Sequence, residues 1–205
     1  MTGAKARIAV LVSGGGTNLQ ALLDAQSRGE IPHGEIVLVV SNKAGAYALT
    51  RAEKAGIPGA VVEKKGEQRD FEDRLSALLE EYQVDMIVLA GFLAILSGDF
   101  TACWPRRILN IHPSLIPSFC GEGFYGLRVH QAALDYGVKV TGATVHYVNE
   151  IPDGGEIIAQ KAVEILPGDT PEILQRRVME QAEWILLPQA TELAAKTLME
   201  RSTQQ

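Results

Sequence analysis

The sequence of 205 residues has little cysteine, few aromatic residues and no basic stretch. Its two cysteines, Cys103 and Cys120, have neither metal-ligand nor redox-motif spacing, and the four histidines form no metal motif, so no metal is expected. No apolar run is long enough to span a membrane, and a net charge of −6 makes nucleic acid a poor partner. Only a short apolar run precedes the first glycine loop, so we expect no signal peptide and a cytoplasmic location.

The composition is that of an ordinary globular protein, with 46% hydrophobic residues. The length suits one domain with a sizeable core, and no linker, repeat or low-complexity segment interrupts the chain. We therefore expect a single domain over residues 1–205.

Apolar runs alternate with amphipathic stretches through the first half of the chain. The predicted strands are 7–12, 35–40, 60–63, 84–90 and 107–111, and the predicted helices are 18–28, 46–55 and 68–82. This alternation predicts an α/β fold with a doubly wound, mostly parallel sheet.

The pattern changes in the last third of the chain. Residues 139–148 and 156–165 alternate more regularly, which predicts an antiparallel strand pair joined by a loop. A long helix then extends to about residue 199, with Asp169 or Thr170 as its cap and Pro171 in its first turn.

Asn110 and His112 lie two residues apart where an apolar run ends, within residues 108–117. Residues two apart in a strand face the same side, and open α/β sheets build their sites at the carboxyl ends of strands. An amide can hydrogen-bond a carbonyl oxygen, and an imidazole can move a proton near neutral pH. The pair predicts a catalytic site, with a capped strand end and a structural histidine as the alternative.

Three consecutive glycines, residues 14–16, stand between the first predicted strand and helix. Backbone amides there can bind phosphate at the helix N-terminus. Leu19 occupies the place of the third glycine of a dinucleotide motif, and no carboxylate ends the second strand at 40–43, so a monophosphate is favoured. A plain tight turn is the alternative.

Asp153 lies in the glycine-rich loop 149–155. Beside His112, its carboxylate would raise the pKa of the imidazole and make it a better proton donor; alternatively, Asp153 is only a turn residue. His146 either faces this site or is a core histidine, and His33 and His130 are expected at the surface.

Five segments occur in the order found in the glycinamide ribonucleotide transformylases, also called phosphoribosylglycinamide formyltransferases. They are residues 13–18, 40–43, 89–92, 110–115 and 153–155. The chain resembles this family over nearly its whole length. The resemblance implies a Rossmann-like formyltransferase fold and formyl transfer from 10-formyltetrahydrofolate, as co-substrate, to the amine of glycinamide ribonucleotide in purine synthesis. It also implies a monomer or homodimer.

The resemblance also implies roles for individual residues. Those matching the catalytic group are Asn110, His112 and Asp153. Those matching the ribonucleotide site are Gly16, Thr17, Asn18 and Glu183. Those matching the folate site are Arg69, Leu93, Ala94, Ile95, Leu96, Asn110, Asn149, Glu150, Ile151, Pro152 and Asp153.

Three positions depart from the family pattern. Ala94 stands where many members carry arginine or another long residue, Cys120 stands where proline is common, and Trp184 replaces a histidine beside Glu183. The implied mechanism is direct attack of the amine on the formyl carbon, with Asn110 and protonated His112 stabilising the oxyanion.

Three other functions are the alternatives. A 10-formyltetrahydrofolate deformylase would carry an N-terminal regulatory domain and a different first loop. A methionyl-tRNA formyltransferase would carry a C-terminal domain and a basic surface. A non-catalytic nucleotide-binding module would not need the set of Asn110, His112 and Asp153.

Overall fold

The computed structural model describes residues 5–202, and for Ser202 only the backbone. The strands are β1 (Ala6–Val12), β2 (Gly34–Ser41), β3 (Gly59–Val61), β4 (Met86–Leu89), β5 (Ile108–His112), β6 (Val140–Tyr147) and β7 (Ile157–Glu164). The helices are α1 (Thr17–Ser27), α2 (Tyr47–Lys54), α3 (Gln68–Glu81), α4 (Gly98–Ala102), α5 (Leu127–Tyr136), α6 (Pro171–Val178) and α7 (Trp184–Ser202). A π-helical turn, Met179–Glu183, connects α6 to α7.

The seven strands form one sheet in the order β3-β2-β1-β4-β5-β6-β7. Strands β1 to β5 are parallel, and β6 and β7 continue the sheet in antiparallel pairing. The predicted fold class is confirmed. Because the strand order reverses direction between β1 and β4, the loops after β1, β4 and β5 meet at the carboxyl edge, where such sheets bind ligands.

Apolar layers cover both faces of the sheet. On one face Val10 and Val88 pack in a cluster with Leu19 and Leu22 of α1 and with residues of α7. On the other face Leu11 and Ile87 pack with Phe71, Leu75 and Leu79 of α3. This two-sided burial explains why the central strands read as continuous apolar runs rather than alternating ones.

The C-terminal helical region differs from the single helix that the sequence predicts. Thr170 caps α6, since its Oγ1 accepts a hydrogen bond from the amide of Ile173 at 3.3 Å, and Pro171 begins the helix. The π turn then adds a residue to one turn before α7 begins. The short helix α4 was not predicted. No helix within residues 5–202 combines the length and apolarity needed to cross a bilayer.

Two histidines outside the predicted site occupy different environments. His33 is half-exposed and pairs with Glu192, consistent with a surface position. His130 is fully buried, so its predicted surface position is wrong. The reason is that α5 turns Val129, His130 and Ala133 towards the interior.

Candidate active site

Strand pairing assembles the polar group at the carboxyl end of β5. Asn110 lies opposite His146 of β6, and His112 lies opposite Thr144. Asp153 comes from the loop after β6 and has a positive φ of 55°, a conformation that Asp tolerates better than most residues. The strands and this loop therefore bring Asn110, His112 and Asp153 together, with His146 beside them.

The Asp153 carboxylate lies at the centre of this group. Its Oδ2 is 3.4 Å from Nδ1 of His112 and accepts a hydrogen bond from the amide of Gly121 at 2.9 Å. Its Oδ1 is 3.4 Å from Nδ2 of Asn110 and 3.6 Å from Nε2 of His146. Burial opposes its ionisation, but His146, His112 and Gly121 together outweigh burial and lower the pKa of Asp153.

The imidazole of His112 lies between two acceptors. Nδ1 faces Asp153, and Nε2 lies 2.9 Å from the carbonyl oxygen of Phe119. A neutral ring has one N–H and can donate to only one of them, whereas the imidazolium can donate to both. The surroundings of the ring thus complement its cation.

Burial nevertheless dominates the pKa of His112. The side chain is 4% exposed, and this burial lowers its pKa below the ordinary value, although Asp153 and the Phe119 carbonyl raise it. As expected, Asp153 on its own raises the pKa of His112. The expected overall rise of that pKa is wrong, because burial outweighs Asp153.

The buried ring of His146 orients Asn110. Its Nδ1 donates to the carbonyl oxygen of Tyr147 at 2.9 Å, and its Nε2 lies 3.2 Å from Nδ2 of Asn110 and 3.6 Å from Oδ1 of Asp153. Of the two alternatives for His146, the structure shows a buried residue that also faces the site. The bond from Asn110 to Asp153 is long at 3.4 Å, so that N–H is the one available to another oxygen.

The buried His130 is a second imidazole near His112. Burial and the charge on His112 lower its pKa to about 4. Neither ring nitrogen has a hydrogen-bond partner within the described part of the chain. Within residues 5–202, no three His, Cys, Asp or Glu side chains are arranged to hold a metal ion.

Packing of the glycine loop after β1 requires glycine at position 16, whether or not the loop binds phosphate. Gly16 has φ 72°, and a Cβ there would lie 2.6 Å from Cβ of Ala48 in α2. Gly14 and Gly15 have open space around them. Arg51 of α2, which the sequence analysis missed, donates from Nε to the carbonyl oxygen of Gly15 at 2.8 Å. Close packing of the loop against α2 therefore requires Gly16, and Arg51 fixes the loop.

Asn18 and Glu183 meet beside this loop, as side chains 165 residues apart in sequence. Nδ2 of Asn18 donates to Oε2 of Glu183 at 2.6 Å, and the amide oxygen of Asn18 has no partner among residues 5–202. Thr17 is exposed at the start of α1 and, with Arg51 and Trp184, lines a cavity of about 320 Å³. The predicted ribonucleotide residues thus lie together.

Glu183 is 6% exposed, and burial raises its pKa despite the hydrogen bond from Asn18. A folded-state pKa above the unfolded one means that stability is lost as the pH rises through this range. We therefore expect Glu183→Gln, which keeps an acceptor for Asn18, to increase the free energy of unfolding at pH 7 by on the order of 1 kcal/mol.

Urea unfolding at pH 7 and at pH 4 measures this effect. The gain should shrink at pH 4, where the folded protein also holds a protonated carboxyl group. Glu180→Gln, an exposed change in the same π turn, is the control. A Glu183→Gln protein less stable than wild type at pH 7 would contradict the argument.

The predicted folate residues form an apolar wall after β4. Leu93 and Ile95 are 56% and 63% exposed, and Leu96 is buried beneath them. Ala94 lies between them and is partly buried. Glu150, from the loop that also contains Asn149, Ile151 and Pro152, lies against Gly98 at the start of α4, and Ile151 in that loop is a further exposed apolar side chain.

Arg69 lies at the surface in the first turn of α3. Its side chain is 89% exposed, and its Nε lies 3.9 Å from Oδ2 of Asp73. Gln68, the preceding residue, instead donates from Nε2 to the carbonyl oxygen of Ile95 at 3.0 Å. The first turn of α3 therefore reaches the wall through Gln68.

The doubly wound sheet, with an Asn–His–Asp group around the buried His112 at its carboxyl edge, is the architecture of an α/β enzyme. The chain belongs to the formyl transferase family, whose profile matches residues 6–191.

Within this family, the chain is similar to phosphoribosylglycinamide formyltransferases. The chain is 46% identical to phosphoribosylglycinamide formyltransferase of Haemophilus influenzae, over 85% of this chain and 81% of that protein. The crystal structure of glycinamide ribonucleotide transformylase 1 from Symbiobacterium toebii superposes with a TM-score of 0.87 and 42% identity, covering 94% of this chain and 89% of that one. These findings confirm the resemblance stated from the sequence.

Two further relatives differ in length from this chain. Over 93% of this chain, the sequence is 49% identical to the trifunctional purine biosynthetic protein adenosine-3 of Gallus gallus. The chain spans only 18% of that protein. A formyltetrahydrofolate deformylase of Pseudomonas syringae has a TM-score of 0.84 at 28% identity, covering 96% of this chain and 63% of that one.

Proposed function

We propose that this protein transfers the formyl group of 10-formyltetrahydrofolate to the amine of glycinamide ribonucleotide in purine synthesis. The main support is that three features lie at the carboxyl edge of the sheet. They are a glycine loop suited to phosphate, the Asn–His–Asp group and an exposed apolar wall. The similarity to phosphoribosylglycinamide formyltransferase over most of both chains supports the same reaction.

Each substrate has its own part of this edge. The loop amides of Gly16, Thr17 and Asn18 bind the ribonucleotide phosphate at the start of α1, and Glu183 with the free amide oxygen of Asn18 contacts the rest of the ribonucleotide. The folate ring lies against residues 93–96 and 149–153, with Gln68 holding the carbonyl of Ile95 and the exposed Arg69 available to contact the folate.

The reaction forms a C–N bond between the amine and the formyl carbon and breaks the bond from that carbon to the folate nitrogen. Asn110 donates to the formyl oxygen as it becomes negative. That charge, placed near His112, favours the imidazolium that Asp153 and Phe119 already complement. The attacking amine loses one proton and the folate nitrogen gains one, and His112 is the residue placed to relay it.

The deformylase reaction is the alternative, because a deformylase shares this fold. A spectrophotometric assay of tetrahydrofolate release separates the two. We expect release only when glycinamide ribonucleotide is present, with one formylated ribonucleotide formed per folate released. Equal rates with and without the ribonucleotide would show hydrolysis instead. A single domain over residues 1–205, a monomer or homodimer, and a cytoplasmic location remain predictions of the sequence.

A further inference from the structure

The segment after β4 is held by side chains from elements distant in sequence. Leu93 and Ile95 expose most of their side chains, yet the backbone around them is anchored. The amide of Leu93 donates to Oγ of Ser13 at 2.8 Å, and the carbonyl of Ile95 accepts from Gln68. An exposed apolar wall anchored in this way is shaped before a ligand reaches it.

Glu72 of α3 holds the end of this segment at Ser97. Its Oε1 accepts hydrogen bonds from the amide of Ser97 at 2.6 Å and from Nε2 of Gln68, and its Oε2 accepts from Oγ of Ser97 at 2.6 Å. Oγ of Ser97 in turn accepts from the amide of Phe100 and caps α4. Through Gln68 the same carboxylate also orients the donor to Ile95.

The carboxylate of Glu72 is buried, and its hydrogen bonds explain why it is tolerated there. Glu72 is 8% exposed, and the described residues place no lysine or arginine in ion-pair contact with it. Burying a charge costs free energy unless hydrogen bonds compensate. Only a carboxylate accepts hydrogen bonds at both of its oxygens, and those bonds are charge-assisted. The side-chain amide of a neutral glutamine would turn its N–H donor towards one of the three N–H or O–H groups. The charge thus fixes Ser97 and Gln68 together.

We propose that Glu72 is a positioning residue of the formyl-donor site, which with Gln68 holds the backbone from Leu93 to Ser97 in the shape that binds the donor. This inference rests on the proposed function, since it takes the wall to be the folate side of the site. A wall set in advance lowers the conformational cost of binding.

The test is Glu72→Gln, with Glu80→Gln as a control because Glu80 is an exposed residue of the same helix. Small misplacements in a site are costly, so the KM for 10-formyltetrahydrofolate should rise about tenfold or more. The KM for glycinamide ribonucleotide should stay within about twofold and kcat within about threefold, because the glycine loop and His112 are untouched. A role in folding alone would lower the melting temperature without splitting the two KM values.

A second variant covers the case in which Glu72→Gln does not fold. Gln68→Ala removes a partly exposed side chain and its bond to Ile95, and it should raise the donor KM in the same direction. In the double variant the two effects should be less than additive, because the residues share one network. An unchanged donor KM in folded Glu72→Gln or Gln68→Ala, or an equal rise in both KM values, would overturn the proposal. Wild-type protein without transfer activity would instead refute the proposed function.

Discussion

Replacement of His112 by alanine should lower kcat by about a hundredfold or more, the usual cost of losing a proton-transfer group. The ring is the one group placed between Asp153 and the Phe119 carbonyl, and no other imidazole can take its position. His146 donates to the Tyr147 carbonyl through Nδ1, and His130 is fully buried. Steady-state kinetics with both substrates saturating measures the effect.

The ribonucleotide KM of this variant should change little, because Asn18 and Glu183 hold that substrate in our proposal. His33→Ala is the matched control, since it removes an imidazole that pairs with Glu192 away from the site. Circular dichroism should show both variants folded. If folded His112→Ala keeps kcat within about threefold of wild type, proton transfer by His112 is excluded as a large contribution.

The parallel sheet could be predicted because its signal is local. Ile87 and Val88 are buried on opposite faces, so the run containing them is apolar throughout. The helices that cover them repeat leucines at helical spacing, as α1 does with Leu19, Leu22 and Leu23. Predicted and observed element boundaries differ by only one or two residues in most cases.

The positions of the histidines could not be predicted from local pattern. His130 stands among mixed residues of α5, and only the packing of that helix decides that it is buried. The sign of the pKa shift of His112 has the same origin. A carboxylate neighbour can be inferred from sequence, whereas the competing burial depends on the loops that close over the ring.

Long-range contacts set the rest of the site. The π turn places Glu183 against Asn18, and a continuous helical pattern contains no sign of that turn. The sequence favours a phosphate site at Gly16, but a Cβ at this position would lie 2.6 Å from Cβ of Ala48, so glycine is required even without a ligand. Glu72 was not singled out, because a carboxylate in an amphipathic helix normally faces solvent.

Replacement of Asp153 by asparagine should lower the pKa of His112 still further. In wild type, burial lowers this pKa and Asp153 opposes the decrease, so removing the charge leaves burial opposed mainly by the Phe119 carbonyl. Asparagine tolerates the positive φ of 55° and can still accept from Gly121, so the loop should keep its shape. At pH 7 the imidazolium fraction falls, and we expect kcat to fall about a hundredfold.

The pH dependence of kcat shows whether Asp153→Asn lowers the pKa of His112. A rate that needs the imidazolium declines as the pH rises through the pKa of His112, so this decline should begin at a lower pH in Asp153→Asn than in wild type. NMR titration of the histidine ring signals, with the His112 signal assigned by its absence from His112→Ala, measures the pKa directly. Asp135→Asn, an exposed change on α5, should leave it unchanged. Because the two residues act on one proton, adding Asp153→Asn to His112→Ala should cost little more activity. An unchanged His112 pKa together with full activity would mean that Asp153 serves only as a turn residue.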